Sequence, residues 1–345
     1  MQVPGTARRL RDVGEFGLIS AIRNITESSR VRSSGVVLGV GDDAALWRPR
    51  PGRIVAITTD TLIDKRHFRT DWSDAKQIGH RALAVNLSDL AAMGARPRTV
   101  VVSLGLKGTE TDRWVYDLYR GMLALADRSH ARIVGGDIVH SPGALTISIT
   151  AHGEVHPDRV LRRDQAQTGD IIAVTGPLGL AAGGVRLLTE KRTTVEGSPS
   201  MLAAHRTPQP RILQGILLGR AGVRCAMDLS DGLLGDLPKI LAASNVSAEV
   251  VQAQLPIPHV LTWNFGEDAL ELASRGGEDF ELLFTASPET FERVQAVFRR
   301  FRLRQPTAIG SITKIRGYDG PAISMRLIDR RRETVQPGAF DHFQR

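Results

Sequence analysis

The chain has 345 residues, 42% hydrophobic and 24% charged, with a formal net charge of +8 and a single cysteine, Cys225. That length exceeds what one ordinary core supports, so two domains are expected, and so ordinary a composition excludes an intrinsically disordered or low-complexity protein. One cysteine excludes a disulfide framework and points to the cytoplasm. The most apolar stretch, 171–188, is broken by Pro177 and several glycines, so no membrane span is expected, and the basic N-terminus lacks the apolar run of a signal peptide. The arginines that make the chain basic are scattered through every segment, which describes a solvated surface better than a nucleic-acid footprint.

Along the first half, β-branched apolar runs predict strands at 36–40, 54–58, 99–106, 132–134 and 145–155, and 3.6-residue periodicity predicts helices at 14–25, 74–93 and 109–129. Thr109 with Asp112 three residues on resembles a capping box at the start of the third helix. The polar and basic segment 156–163 places a domain boundary at 155, giving units 1–155 and 156–345. In the second half, strands are expected at 170–175, 224–227, 280–285, 307–312 and 323–327. Helices are expected at 178–189, 210–219, 232–243 and 288–301, the last opened by an N-cap and first-turn proline, Ser287-Pro288. No fixed-period repeat is present, which excludes solenoids and propellers.

Six short acidic motifs punctuate these elements: Gly39-Val-Gly-Asp-Asp43, Thr58-Thr-Asp60, Asn86-Leu-Ser-Asp89, Gly135-Gly-Asp137, Asp228-Leu-Ser-Asp231 and Gly276-Gly-Glu-Asp279. Gathered carboxylates repel one another and persist only where cations or many donors neutralise them. Several aspartates beside glycine-freed backbone therefore suggest an oxygen-ligand magnesium site built from loops and shared with nucleotide phosphates. Each motif alone also reads as an ordinary turn or cap. Asp89 differs, because it sits in an alanine- and leucine-rich helical run one turn after Asn86, where a carboxylate needs a cation. No Gly-x-x-x-x-Gly-Lys-Ser/Thr, His-Glu-x-x-His or Gly-x-Ser-x-Gly occurs, and Gly39-Val-Gly41 continues into acidic residues, against a dinucleotide fold.

In this order the motifs resemble those of thiamine-monophosphate kinases, members of the aminoimidazole ribonucleotide synthetase and selenophosphate synthetase superfamily. The likeness runs from Gly14-Glu-Phe-Gly-Leu-Ile19 through His67-Phe68, Ala82 to Gly94, Arg206-Thr-Pro-Gln-Pro-Arg211 and Met227 to Leu233, ending at Phe340-Asp-His-Phe343. It implies an α+β, mixed α/β, two-domain fold of the aminoimidazole ribonucleotide synthetase type. Residues 1–155 would bind ATP and magnesium and pair as a homodimer through a sheet or barrel, and an α/β domain, 156–345, would complete the nucleotide and substrate site. The implied reaction is direct phosphorylation of thiamine monophosphate by ATP, without a phosphoenzyme.

Carried over residue by residue, the resemblance assigns several magnesium ions to Asp43, Thr58, Thr59, Asp60, Asp89, Asp137, Asp228 and Asp231. It assigns ATP to Tyr119, Gly136, Asp137, Arg163 and Ser230, and the thiamine phosphate to His67, Glu278 and Phe340. An acceptor phosphate is largely ionised at neutral pH, so no catalytic base is expected. Phe340 could stack on a heteroaromatic ring or simply pack in a core. Two departures from the family pattern stand out: Lys65-Arg66 where a glycine usually precedes the histidine, and Gly179-Leu-Ala-Ala-Gly-Gly184 where a Gly-Asp-Ser-Ala-Ala-Gly run is usual. Rival readings are another ATP-dependent member of the superfamily and a basic nucleic-acid-binding protein. Against selenophosphate synthesis and hydrogenase maturation, no cysteine precedes Cys225 and the chain ends Phe343-Gln-Arg345.

Overall fold

The computed structural model describes residues 7–29, 31, 35–315, 320–329 and 331–335. Contacts divide the chain into two compact units, one of residues 1–90 with 96–155 and one of 91–95 with 156–345.

The first unit contains α1 (Leu10–Glu27), β1 (Val36–Leu38), β2 (Leu46–Trp47), β3 (Ile54–Ile63) and α2 (Ala75–Ala92). These are followed by β4 (Arg96–Leu106), α3 (Asp112–Arg128), β5 (Arg132–His140) and β6 (Thr146–Val155). Its main sheet has the order β3-β6-β4-β5, with β4 and β5 parallel and the other pairs antiparallel. Strand alternation puts Val100, Val102, Leu104, Ile147, Ile149 and Ala151 on one fully buried face. The opposite face stays open along β3, where Thr59 and Thr61 are exposed and Ile57 is 66% exposed, and at Val139 of β5, 50% exposed. Helices α2 and α3 approach so closely that a Cβ on Gly79 would stand 2.0 Å from the Leu118 carbonyl oxygen, and one on Gly121 would stand 1.9 Å from that of Lys76. The two glycines let the backbones touch, a contact that any side chain would force apart.

Helix α3 starts two residues later than the sequence pattern suggests. Thr111, not Thr109, is the N-cap, and its hydroxyl accepts from Trp114 N at 3.2 Å. Asp112 accepts instead from the Arg8 amide and guanidinium, at 3.0 and 3.1 Å. Segment α1 is broken at Gly14, whose φ of 70° and ψ of 164° are non-helical, so a short helical turn from Leu10 precedes the helix that the sequence places from residue 14.

The second unit contains β7 (Ile171–Val174), α4 (Leu180–Thr189), α5 (Ser198–Arg206), α6 (Ile212–Ala221), β8 (Cys225–Asp228), α7 (Leu233–Ser244) and β9 (Ser247–Val251). The chain then adds α8 (His259–Phe265), α9 (Asp268–Arg275), β10 (Leu282–Ala286), α10 (Pro288–Arg300), β11 (Thr307–Thr313), β12 (Ile323–Arg326) and β13 (Arg332–Val335). Its sheet order is β13-β12-β9-β11-β7-β10-β8, parallel only at β9–β12. One core cluster joins Ile172, Val174, Leu237, Ile240 and Leu283, and another joins Ala173, Leu217, Leu218, Phe284 and Phe298. Alternate residues of β7 and β10 thus serve opposite sides, as a sheet buried on both faces requires. Ser287 caps α10, accepting from Thr290 N at 3.2 Å, as its sequence predicts. Helices α5, α8 and α9 and the strands β9 and β13 had no clear sequence signal. Among the described residues no helix is long and apolar enough to cross a membrane.

Candidate functional site

The acidic motifs are not all in loops. Thr58, Thr59 and Asp60 lie within β3, Asp89 within α2 and Asp137 within β5, so regular elements rather than flexible loops carry most of the first unit's candidate ligands. Alternation along β3 turns Thr58 and Asp60 toward α2 and Thr59 the other way. The Thr58 hydroxyl donates to Asp89 Oδ2 at 2.5 Å, and Asn86 Oδ1 accepts from Asp60 N at 3.1 Å, which fixes α2 over β3. Burial raises the Asp60 carboxyl to about 6, and the charge of Asp89 together with a hydrogen bond to it pushes in the same direction.

The rest of the first unit's candidates are dispersed. Thr59 donates to the Ile149 carbonyl and accepts from Thr150 on the open face. Asp60, Ile149, Val102 and Gly136 form one row across the sheet, and Asp137, paired with Ser103, stands on the open face beside its end. Asp60 and Asp137 are therefore three strands apart, about 14 Å, and on opposite faces. Asp43 is exposed in the segment between β1 and β2, its amide donating to Asp42. Gly136 has a clear reason to be glycine, since a Cβ there would meet the Val102 carbonyl oxygen at 1.9 Å. Tyr119 is 3% exposed in α3, and burial raises its phenol far above the ordinary value.

His67 closes a tight turn, with Lys65 N donating to the Phe68 carbonyl and Ile63 N donating to His67 Nδ1 at 3.1 Å. A neutral imidazole therefore carries its proton on Nε2. Lys65 sits at φ 66°, the left-handed region that glycine enters freely.

In the second unit the turn after β8 presents Asp228, Ser230 and Asp231. Asp228 is buried at the strand end. Asp236, in the first turn of α7 and fully buried, accepts from Ser230 N and Asp231 N, both at 2.8 Å. Lys239 Nζ donates to Asp231 Oδ2 at 2.6 Å and to Asp236 Oδ1 at 2.7 Å. Burial raises the Asp236 carboxyl, against the pull of Lys239. Sequence reasoning missed both residues; an acid and a base one helical turn apart, just after Asp228-Leu-Ser-Asp231, was the available signal. Arg163 is exposed, its carbonyl accepting from Ser244 Oγ at 2.8 Å.

The Gly276–Asp279 loop folds onto this turn. Glu278 N donates to the Ser230 carbonyl at 2.9 Å, and a Cβ on Gly277 would meet that oxygen at 2.4 Å. Glu278 holds φ 72° and lies 3.3 Å from His205 Nδ1. Asp279 accepts from Gly179 N at 2.6 Å and Ala181 N at 3.3 Å, supplying to α4 the polar cap that Leu180 and Ala181 cannot. Burial raises Asp279 to about 7, in spite of those two donors. Glu281, 2% exposed, takes both Arg211 nitrogens, at 2.8 and 2.5 Å, and the Thr175 hydroxyl at 2.6 Å, which accounts for Arg211 in the Arg206–Arg211 motif. Phe340 lies outside the described residues.

Among the described residues no three His, Cys, Asp or Glu side chains gather as a metal site. Asp60, Asp89 and Thr58 nevertheless offer hard oxygen donors, and magnesium is ordinarily held by one or two carboxylates with waters and substrate phosphates completing its shell. The donor set therefore fits that ion.

Comparison with known proteins extends across both units. Residues 41–155 match the AIR synthase related protein N-terminal domain and 167–320 match its C-terminal domain. The thiamine-monophosphate kinase of Bacillus subtilis strain 168 is 34% identical over 336 residues, 96% of this chain and 99% of that protein. The chain belongs to the thiamine-monophosphate kinase family. Its α+β two-domain fold is the family's. The crystal structure of thiamine-monophosphate kinase from Stenotrophomonas maltophilia K279a superposes with a TM-score of 0.79 at 39% identity, covering 90% of this chain and 96% of that one. A second kinase structure, AaThiL complexed with AMPPCP and TMP, gives a TM-score of 0.73 at 28% identity over 98% of this chain and all of that one.

Proposed function

We propose that the protein phosphorylates thiamine monophosphate with ATP, giving thiamine diphosphate and ADP. The observation that carries this reading is the end-to-end likeness to a kinase solved with AMPPCP, an ATP analogue, and TMP. In the first unit Asp60 and Asp89, with Thr58 beside them, would hold magnesium, which supplies charge neutralisation for two anionic phosphates that must meet in line. His67 Nε2 would donate to an acceptor phosphate oxygen. In the second unit the turn at Ser230, with Asp228 and Asp231, would serve the nucleotide through its side chains, and Glu278, 3.3 Å from His205, would serve a cationic or amino-bearing ring. Arg163 adds an exposed guanidinium for phosphate. No residue is needed as a general base, since the acceptor phosphate is already ionised at neutral pH.

Asp137 and Thr59 argue for a homodimer within the same proposal. Both lie on the open face with Ile57 and Val139, on the side of the sheet away from Asp60 and Asp89. A second copy packed on that face would cover the apolar residues and bring another Asp137 beside β3. The cytoplasm, where ATP and magnesium are available, completes the reading; Cys225 is buried and unoxidised, with its thiol raised to about 11 by burial.

The test is a product assay with purified protein, ATP and magnesium, offering thiamine monophosphate or thiamine as acceptor. Stoichiometric thiamine diphosphate and ADP from the monophosphate alone is the expected result. ADP without thiamine diphosphate at saturating magnesium sinks the acceptor assignment.

A further inference from the structure

The turn between β8 and α7 is held from below by one buried carboxylate and one ammonium. Asp236 is fully buried, and a charged group there must find donors. Its Oδ2 takes the Ser230 and Asp231 amides, and its Oδ1 takes Lys239. Lys239, three residues on and one helical turn away, reaches back to Asp231 Oδ2 as well. One ammonium is thus shared by two carboxylates, and the oxygen that a divalent ion would use on Asp231 already has a cation at 2.6 Å. That contact disagrees with a simple magnesium-ligand role for Asp231.

Resting on the kinase reading above, we propose that Lys239 is a positioning residue, a tethered cation that neutralises Asp231 and Asp236 and sets the Ser230–Asp231 turn before any divalent ion or nucleotide arrives. The turn in turn fixes its neighbour loop, because the Ser230 carbonyl accepts the Glu278 amide and leaves Gly277 no room for a side chain. A lysine fixed in the chain needs no recruitment from solution, so its contribution does not fall as magnesium falls. Magnesium arriving with the nucleotide then has one fewer charge to neutralise at this turn.

The experiment uses the full chain. In metal-free, nucleotide-free wild-type protein, hydrogen exchange at the Ser230 and Asp231 amides should already be as slow as with magnesium added. Lys239→Gln should speed that exchange roughly tenfold, the scale of one lost charge-assisted hydrogen bond, and raise the half-saturating magnesium concentration by a similar factor. Its kcat at saturating magnesium should stay within about threefold of wild type, since the excess ion replaces the missing charge, and Lys239→Arg should recover most of the loss. Amide protection that appears in the wild type only on adding magnesium overturns the proposal, as does Lys239→Gln with unchanged exchange or unchanged magnesium dependence. The wild-type exchange measurement needs neither the variant to fold nor the enzyme to turn over. A protein that makes no thiamine diphosphate would remove the kinase reading and leave that measurement to decide this one.

Discussion

Aspartates in the two units meet different surroundings. In the first unit Asp60 and Asp89 face each other between β3 and α2, and what acts on Asp60 is burial and a second carboxyl. In the second unit Asp231 and Asp236 share Lys239, Asp279 holds two helix amides, and Glu281 holds Arg211 and Thr175. One arrangement sets carboxyl beside carboxyl; the other sets its carboxylates against donors within the fold. The same residue type therefore stands beside another carboxyl in one unit and frames backbone amides in the other, and partners rather than motifs tell them apart.

The comparison is broken most directly at Asp89. Asp89→Asn should lower kcat/KM by at least about a thousandfold, several kcal/mol of lost charge stabilisation, while leaving the circular dichroism spectrum unchanged. Retained activity would mean that the carboxylate pair is not the ion site. Arg211→Met probes the other arrangement, since it strands Glu281 in the interior; urea denaturation should show a loss of about 3–5 kcal/mol. A loss below about 1 kcal/mol would place Arg211 among ordinary surface pairs.

A sharper contrast comes from pH. The folded-state pKa of Asp60 lies above its unfolded value of 3.8, at about 6, so the native state holds the proton longer. Stability in the absence of metal should then fall as pH rises from about 4 through 6, by up to about 2 kcal/mol after screening at its partly open side. Magnesium competes with that proton, so it should raise the melting temperature more at pH 7.5 than at pH 5. An equal shift at both pH values would separate magnesium binding from Asp60. The smallest effect is expected at Lys65→Gly, which relieves a left-handed residue at the cost of chain entropy and should stabilise by about 0.5–1 kcal/mol. Thermal melts of the variant check it, and a destabilisation would show that the lysine side chain holds the turn.

The helices and strands with strong periodicity were legible in the sequence, as were the Ser287 cap and the acidic motifs of the ion site. Short elements were not. Helix α8 has seven residues and β13 four, too few for a period to emerge, and α9 presents few large apolar residues. The cap of α3 moved to Thr111 because two neighbouring threonines compete and only the path of the chain from Arg8 decides between them. The surroundings of Tyr119 were not legible either, because a tyrosine on an amphipathic helix looks the same whether its ring meets a ligand or a core.

By itself, the amino-acid sequence determined the alternation of apolar runs, the acidic motifs in their order and the Ser287 cap, because these depend on local side-chain chemistry and backbone sterics. Tertiary structure alone decided that Thr58 and Asp60 face Asp89 while Thr59 and Asp137 look outward, that Asp279 caps α4 from 100 residues away, and that Lys239 balances Asp231. The reason is physical: which face a strand residue takes, and which distant donor reaches a carboxylate, are fixed by register and packing, and neither is written in the spacing of residues along the chain.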